Sequence, residues 1–221
     1  LRDREWQTSP VSGRVHVPRQ GRERLLNEAA AMSFIREHSN IPIPTLHCTF
    51  EDDGAIYLVM EYVEGVGMDE LDDDQREVVK RELDIHLNTM RSLTSHSVGG
   101  PSGLVVPPYR VSLKTSTDAW DLRISDTEDL VFCHNDLSQQ NVIVDPVSLK
   151  INAIIDWEYA GFYPDFFERR FFERLGPSVA RDGEEDDSEK LLGFLESRSV
   201  KQKEKNQDPQ FKHVDRRVEA Q

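Results

Sequence analysis

At 221 residues the chain suffices for one large domain or two small lobes sharing a core. Hydrophobic residues make up 37% and charged residues 31%, so part of the chain is expected to stay outside any core. A formal net charge of −14 argues against general binding to nucleic acid or anionic membrane, whose phosphates would repel it. Cys48 and Cys133 make neither a disulfide framework nor a zinc site. Both lie in apolar runs typical of buried thiols, and a reducing, cytoplasmic setting is expected. The apolar runs are too short for a membrane span.

Residues 1–20 are polar, with a short strand expected at RVHV (14–17). From Arg22 to His38, Leu25, Ala29, Met32 and Ile35–Arg36 follow three-to-four spacing, which predicts an amphipathic helix. NIPIPT (40–45) ends it, because each proline drives its predecessor toward extended geometry. TLHCTF and AIYLVMEY, separated by EDDG, read as a β-hairpin whose turn uses Gly54 at positive φ. VEGVG (63–67) reads as a linker. A strong helix is expected around 75–94, with Val79, Leu83, Leu87, Met90 and Leu93 in one stripe, followed by a Gly- and Pro-rich loop over 95–109. After an ambiguous stretch (112–130) come three strand-type runs, LVFC, NVIVD and KINAIID, the last two joined by PVSL. FFERRFFERLG (166–176) predicts a helix with Asp165 suited to its N-cap. Beyond it lies a polar, acidic tail, 177–221, expected to be disordered or loosely helical, with LLGFLES (191–197) its one apolar island.

The chemistry concentrates in CHNDLSQQNVIVD (133–145). If NVIVD and INAIID pair about the turn between them, Asn141 and Asp156 fall at the same end of the hairpin. Asp136 lies five residues before Asn141, in the loop feeding that end. Three hard oxygen donors can then converge, a set suited to Mg²⁺, which is commonly held by one or two protein groups plus substrate phosphates. Phosphoryl transfer needs this arrangement: one carboxylate to accept a hydroxyl proton, and an amide and a second carboxylate for metal.

FCHNDLSQQNVIVD…INAIIDWEYAGFYP resembles the aminoglycoside phosphotransferase family, relatives of choline kinases, whose signature runs H-G-D-x4-N-I-L/V and then I-I-D-W-E/D. Trp157–Glu158 stand where protein kinases carry Phe-Gly, which favours the small-molecule branch over a protein-serine/threonine kinase. The resemblance extends upstream through NEAAAMSFIREHSNIPIPTLHCTFEDDGAIYLVMEYVEG (27–65) and spans roughly residues 15–175. It implies an α+β, protein-kinase-like two-lobe fold. Residues 1–64 would form a reduced N-terminal sheet lobe, 65–176 a mainly helical catalytic lobe, and 177–221 a tail. It implies Asp136 as catalytic base, His134 bracing the catalytic loop, and Asn141 and Asp156 as ligands of Mg²⁺. ATP would lie against the Glu61, Tyr62 and Val63 backbone, with Glu28 as the helix glutamate. The acceptor would be a small-molecule hydroxyl.

The chain also departs from the family. The first lysine is Lys80, and the position of the family's phosphate-binding lysine, counted back from Glu28, holds Arg19. Arginine keeps the charge but not the geometry, so an exposed, non-catalytic Arg19 stands beside the phosphate-binding reading. The only glycine before Arg19 is Gly13, so a two-strand phosphate-covering loop is absent or vestigial in this sequence. DGEEDD (182–187) reads as a solvated acidic run before it reads as a magnet for a cationic acceptor. Glu158 and Asp165 stand nearer the site. Two functions therefore compete: an ATP- and Mg²⁺-dependent phosphotransferase, and an impaired pseudo-kinase serving as a binding module.

Overall fold

The 22–38 periodicity folds as α1 (Gly21–His38). The computed structural model describes residues 19–120, 123–124 and 130–205, with 123–124 and 198–205 as backbone alone. The strand expected at 14–17, Gly13 and the tail beyond 205 lie outside the described residues. The buried face of α1 is rotated from the expected one: Asn27, Glu28, Ala31, Met32 and Ile35 are buried, whereas Leu25 and Ala29 are half-buried and Arg36 is exposed. Asn27 can face inward because it is satisfied there. Its Nδ2 donates to the carbonyls of Glu158 (3.0 Å) and Ala160 (2.8 Å), and its Oδ1 accepts from the Ser102 hydroxyl (2.6 Å).

The hairpin forms as expected from β1 (Leu46–Asp52) and β2 (Ala55–Met60). Asp53 and Gly54 both take positive φ, 48° and 72°, the two-residue turn that matches strand twist. Cys48 is exposed, which corrects the expectation of a buried thiol: β1 is half of a two-stranded sheet and carries mostly exposed residues. The proline connector ties this hairpin to the rest of the chain, since Ile41 and Ile43 are buried and the Pro42 carbonyl accepts from Ile154 N–H at 2.8 Å.

The supposed linker contains a strand, β3 (Val66–Gly67). Gly65 precedes it at φ 143°, where an added Cβ would lie 2.6 Å from the Val144 carbonyl oxygen, so a side chain is excluded. Helix α2 (Asp73–Ser92) starts at a reciprocal cap between Asp72 and Gln75 and buries the expected Val79, Leu83, Leu87 and Met90. Short elements follow: β4 (Thr94–Ser95), β5 (Ser97–Val98), α3 (Tyr109–Ser112), β6 (Arg123–Ile124), β7 (Leu130–Cys133), β8 (Val142–Val144), β9 (Ile151–Ile154) and β10 (Gly161–Tyr163). They build antiparallel sheets in the orders β10-β7-β4, β3-β8-β9 and β5-β6. The α+β class is as expected.

Residues 166–176 correct the expected helix. They form two short 3-10 turns, Asp165–Phe167 and Phe171–Glu173. The carbonyls of Phe167 and Phe172 are claimed by Arg110 and by Gln139 Nε2 (2.8 Å), and Arg170 at φ −81°, ψ 58° leaves helical geometry. Asp165 therefore caps no helix there. Within the tail, the helical alternative holds for Ser188–Lys205, which form α4, and it is packed where a loose helix was expected: Leu191 and Leu195 are buried in the core and Phe194 lies edge-on to Phe167 at 5.4 Å. Among the described residues no helix is long and apolar enough to cross a membrane.

Candidate active site

The β8–β9 register, Val142 opposite Ile154, puts Asn141 and Asp156 at one end of the hairpin, where Ile155 N–H donates to the Asn141 carbonyl at 3.0 Å. Asp156 turns the chain at φ 67°, ψ 55°, a left-handed conformation that aspartate tolerates better than most side chains and that its surroundings hold in place. The surroundings here are Trp157, fully buried with Nε1 donating to the Ile154 carbonyl (2.8 Å), and the Asn27 clamp from α1.

The loop before Asn141 is braced at each step. His134 is buried; Asp136 N–H donates to its Nδ1 (3.2 Å), so the ring proton sits on Nε2 and is donated to the Ile155 carbonyl (3.0 Å). Burial pushes its pKa down to about 4 and keeps it neutral. Its ring lies tilted against that of Trp157, with centroids 4.5 Å apart. The Asn141 amide donates to the Asp136 carbonyl (2.7 Å), closing the turn. Asn135, at φ 69°, is held on three sides. Its side chain donates to the Tyr159 carbonyl (2.8 Å), its N–H to Glu168 (3.1 Å), and its carbonyl accepts from Arg110 (3.0 Å).

Arg110 and Glu168 were not singled out by the sequence. Glu168 accepts from the N–H groups of both His134 and Asn135, and burial pushes its pKa up to about 7. Arg110, 2% exposed, pairs through two nitrogens with Asp187 (3.0 and 3.3 Å) and also donates to the Phe167 carbonyl (2.6 Å). Its partners lie 25 to 77 positions away, beyond any local pattern.

Asp136, Asn141 and Asp156 line one cleft of about 260 Å³, together with Tyr109, Glu158 and Ser178. Burial, and then the charge of Glu158, hold the Asp136 carboxyl above its ordinary range, partly offset by the Ser178 hydroxyl, Arg110 and Asn141. Asp156 is pushed up to about 7 by burial and by Glu158 and Asp136. The Glu28, Asp156 and Glu158 carboxylate oxygens lie within 4.8 Å of one another. Hard oxygen donors with accumulated negative charge suit a divalent cation. With its Nδ2 committed to the loop, Asn141 has its Oδ1 to offer such an ion.

The upstream residues are differently placed. Glu28 reaches the cluster from α1 and accepts from the Trp157 N–H; burial, Asp156 and Glu158 raise its pKa to about 8. The cation beside it is Arg24, whose guanidinium is bonded to Glu158. Arg19 is taken up elsewhere, by Asp118 (2.6 and 2.9 Å) and by the carbonyls of Ser112, Thr115 and Thr117. At Glu61 the N–H is bonded to the Thr45 carbonyl (2.8 Å) and the carboxylate to Thr45 N–H (2.9 Å); Tyr62 is exposed and Val63 half-buried.

The loop and hairpin thus bring two carboxylates and an amide onto one cleft. Residues 110–168 match the model of the phosphotransferase enzyme family, so the resemblance carried by the sequence is upheld over that segment. Among solved structures the chain is similar to a thermostable mutant of aminoglycoside phosphotransferase APH(4)-Ia in ternary complex with ADP and hygromycin B. The identity is 18% and the TM-score 0.46, over 66% of this chain and 59% of that one. It is also similar to aminoglycoside-3'-phosphotransferase of type VIII, at 23% identity and TM-score 0.46, over 64% and 60%. A GDP complex of aminoglycoside 2'-phosphotransferase-IIIa matches at 15% identity and TM-score 0.47, over 66% and 59%. The chain thus spans about three-fifths of the length of these structures. No curated protein matches significantly.

Proposed function

We propose that the chain is a phosphotransferase that uses ATP and Mg²⁺ to phosphorylate a hydroxyl of a small molecule. The observation carrying this reading is the convergence of Asp136, Asn141 and Asp156 on one cleft. Asp136 takes the acceptor's proton and orients its oxygen, and its raised pKa brings it closer to the working range of a general base. Neutral His134 and Glu168 hold the loop so that this carboxylate does not have to be ordered during the reaction. Asn141 and Asp156 would hold the cation, which when bound supplies charge neutralisation for the transferred phosphoryl group. Glu61 and Val63 would meet the adenine edge through the Glu61 carbonyl and the Val63 N–H, because the Glu61 N–H is committed to Thr45.

A second reading, a nucleotide-binding module with little transfer, is favoured by the placement of the cations. Arg19 and Arg24 are both bonded to carboxylates of the chain itself. Calorimetric titration with ATP, with and without Mg²⁺, tests the site. Binding should require Mg²⁺, and Asn141→Ala and Asp156→Asn should each weaken it by about tenfold or more. Binding indifferent to Mg²⁺ and to both substitutions would remove the metal-ligand assignment. Tight Mg²⁺-dependent binding without turnover would select the second reading.

A further inference from the structure

Resting on the phosphotransferase reading, we propose that Ser178 is an intramolecular phosphate acceptor, the hydroxyl that this cleft phosphorylates on its own chain. Ser178 lines the same cleft as Asp136, Asn141 and Asp156 although it lies 42 positions after the base. The residue is 5% exposed, and its Oγ is buried without a hydrogen bond of proper geometry. A hydroxyl bonded to nothing in the wall of the cleft that holds Asp136 is available to serve as an acceptor when a phosphoryl donor arrives.

The segment presents this serine deliberately. Arg174 donates to the Pro177 carbonyl (3.0 Å) and to the Val179 carbonyl (2.7 Å), gripping the residues on either side of Ser178. The same guanidinium is fixed by Glu184 (2.6 and 2.9 Å). Gly176, at φ 94°, makes the bend that lets the segment double back, in a conformation favouring glycine. Farther along, Asp187 is bonded to Arg110, which also holds the carbonyl of Asn135, the residue preceding the base. The residues on either side of Ser178 and the residue before Asp136 are thus each held by an arginine, and both grips involve the same 174–187 segment.

The step balances with a nucleoside triphosphate as co-reactant. The Ser178 Oγ–H proton passes to Asp136, and a bond forms between Oγ and the terminal phosphorus. The bond from that phosphorus to the bridging oxygen breaks, and nucleoside diphosphate leaves. The product carries about −1.5 to −2 charge beside three carboxylates. It would fill the space that an external hydroxyl needs, so transfer to other acceptors slows as Ser178 becomes modified.

The test incubates the full chain with Mg·ATP and maps phosphate by mass spectrometry, with nucleotide binding measured in parallel. One phosphate on Ser178 is expected, at a rate independent of protein concentration. Asp136→Asn should slow its appearance by about 10²–10⁴-fold. Arg174→Ala should slow it less, Ser178→Ala should remove it, and Ser178→Thr should retain a hydroxyl acceptor. Phosphate mapped elsewhere, or a rate on Ser178 that rises with protein concentration, would overturn the proposal. A chain that binds nucleotide, or passes phosphate to a small molecule, while Ser178 stays unmodified overturns this inference alone. A chain that binds no nucleotide overturns it together with the reading beneath it.

Discussion

The two sides of the carboxylate cluster, the 133–141 loop with its hairpin and helix α1, are built on different principles. On the side formed by the 133–141 loop and the β8–β9 hairpin, each backbone group near Asp136 is held by a buried partner: His134, Glu168, Arg110 or Asn141. On the α1 side, Glu28 is delivered into the cluster with the same care, through Asn27 and the turn at Trp157. Its cations, however, are drawn away. Arg24 is bonded to Glu158, and Arg19 to Asp118 and a loop of carbonyls. The first side fixes the backbone around Asp136, whereas the second accumulates negative charge. Rigidity and charge balance are thus separate properties of this site, and the chain meets the first more fully than the second.

The rigid side can be broken most severely at Arg110. Arg110→Met leaves Asp187 with only the longer 4.0 Å pair to Arg169 and frees the Asn135 and Phe167 carbonyls, which should cost about 3 kcal/mol in chemical denaturation. A loss under about 1 kcal/mol would show that the loop is not held from this side. The charge imbalance of the other side can be sharpened by pH. Glu28 ionises near 4.5 in the unfolded chain and about 8 in the fold, so between these values the fold binds more protons than the unfolded chain. Its contribution is fully present below about pH 4.5 and is lost as pH rises to about 8. Metal-free Glu28→Gln should flatten this decline and be more stable than the unmodified chain at pH 9, measured by urea unfolding. An unchanged pH profile would mean that the cluster is not strained. The smallest effect belongs to Arg19→Ala. Its pair with Asp118 is well exposed, so the change should cost under about 1 kcal/mol and leave Mg·ATP affinity unaltered. A tenfold fall in affinity would return Arg19 to the phosphate-binding role.

What was legible in the sequence was short-range. Asp136, Asn141 and Asp156 could be brought together because a strand pair joined by a short turn fixes its own register, and Val142 does face Ile154. The hairpin at EDDG was equally readable, because two left-handed positions suit Asp-Gly. Arg110, Glu168 and Ser178 act across 25 to 77 residues of sequence, and nothing in their neighbours signals a partner. The 166–176 helix failed for a related reason, since its carbonyls bond to distant Arg110 and Gln139 instead of to the next turn. In the tail, LLGFLES did carry the signal of a packed helix, but the surrounding acids outweighed it in a reading by composition. Arg19 is bonded to Asp118, 99 positions away, a partner that no local pattern signals.

The account turns on Asp136 acting as the base of phosphoryl transfer. Turnover of Mg·ATP by the chain and by Asp136→Asn, both at saturating nucleotide with binding verified, tests this most directly. The account predicts measurable turnover by the chain and a fall of about 10²–10⁴-fold in the variant, with nucleotide still bound. Equal turnover in the two proteins would contradict it.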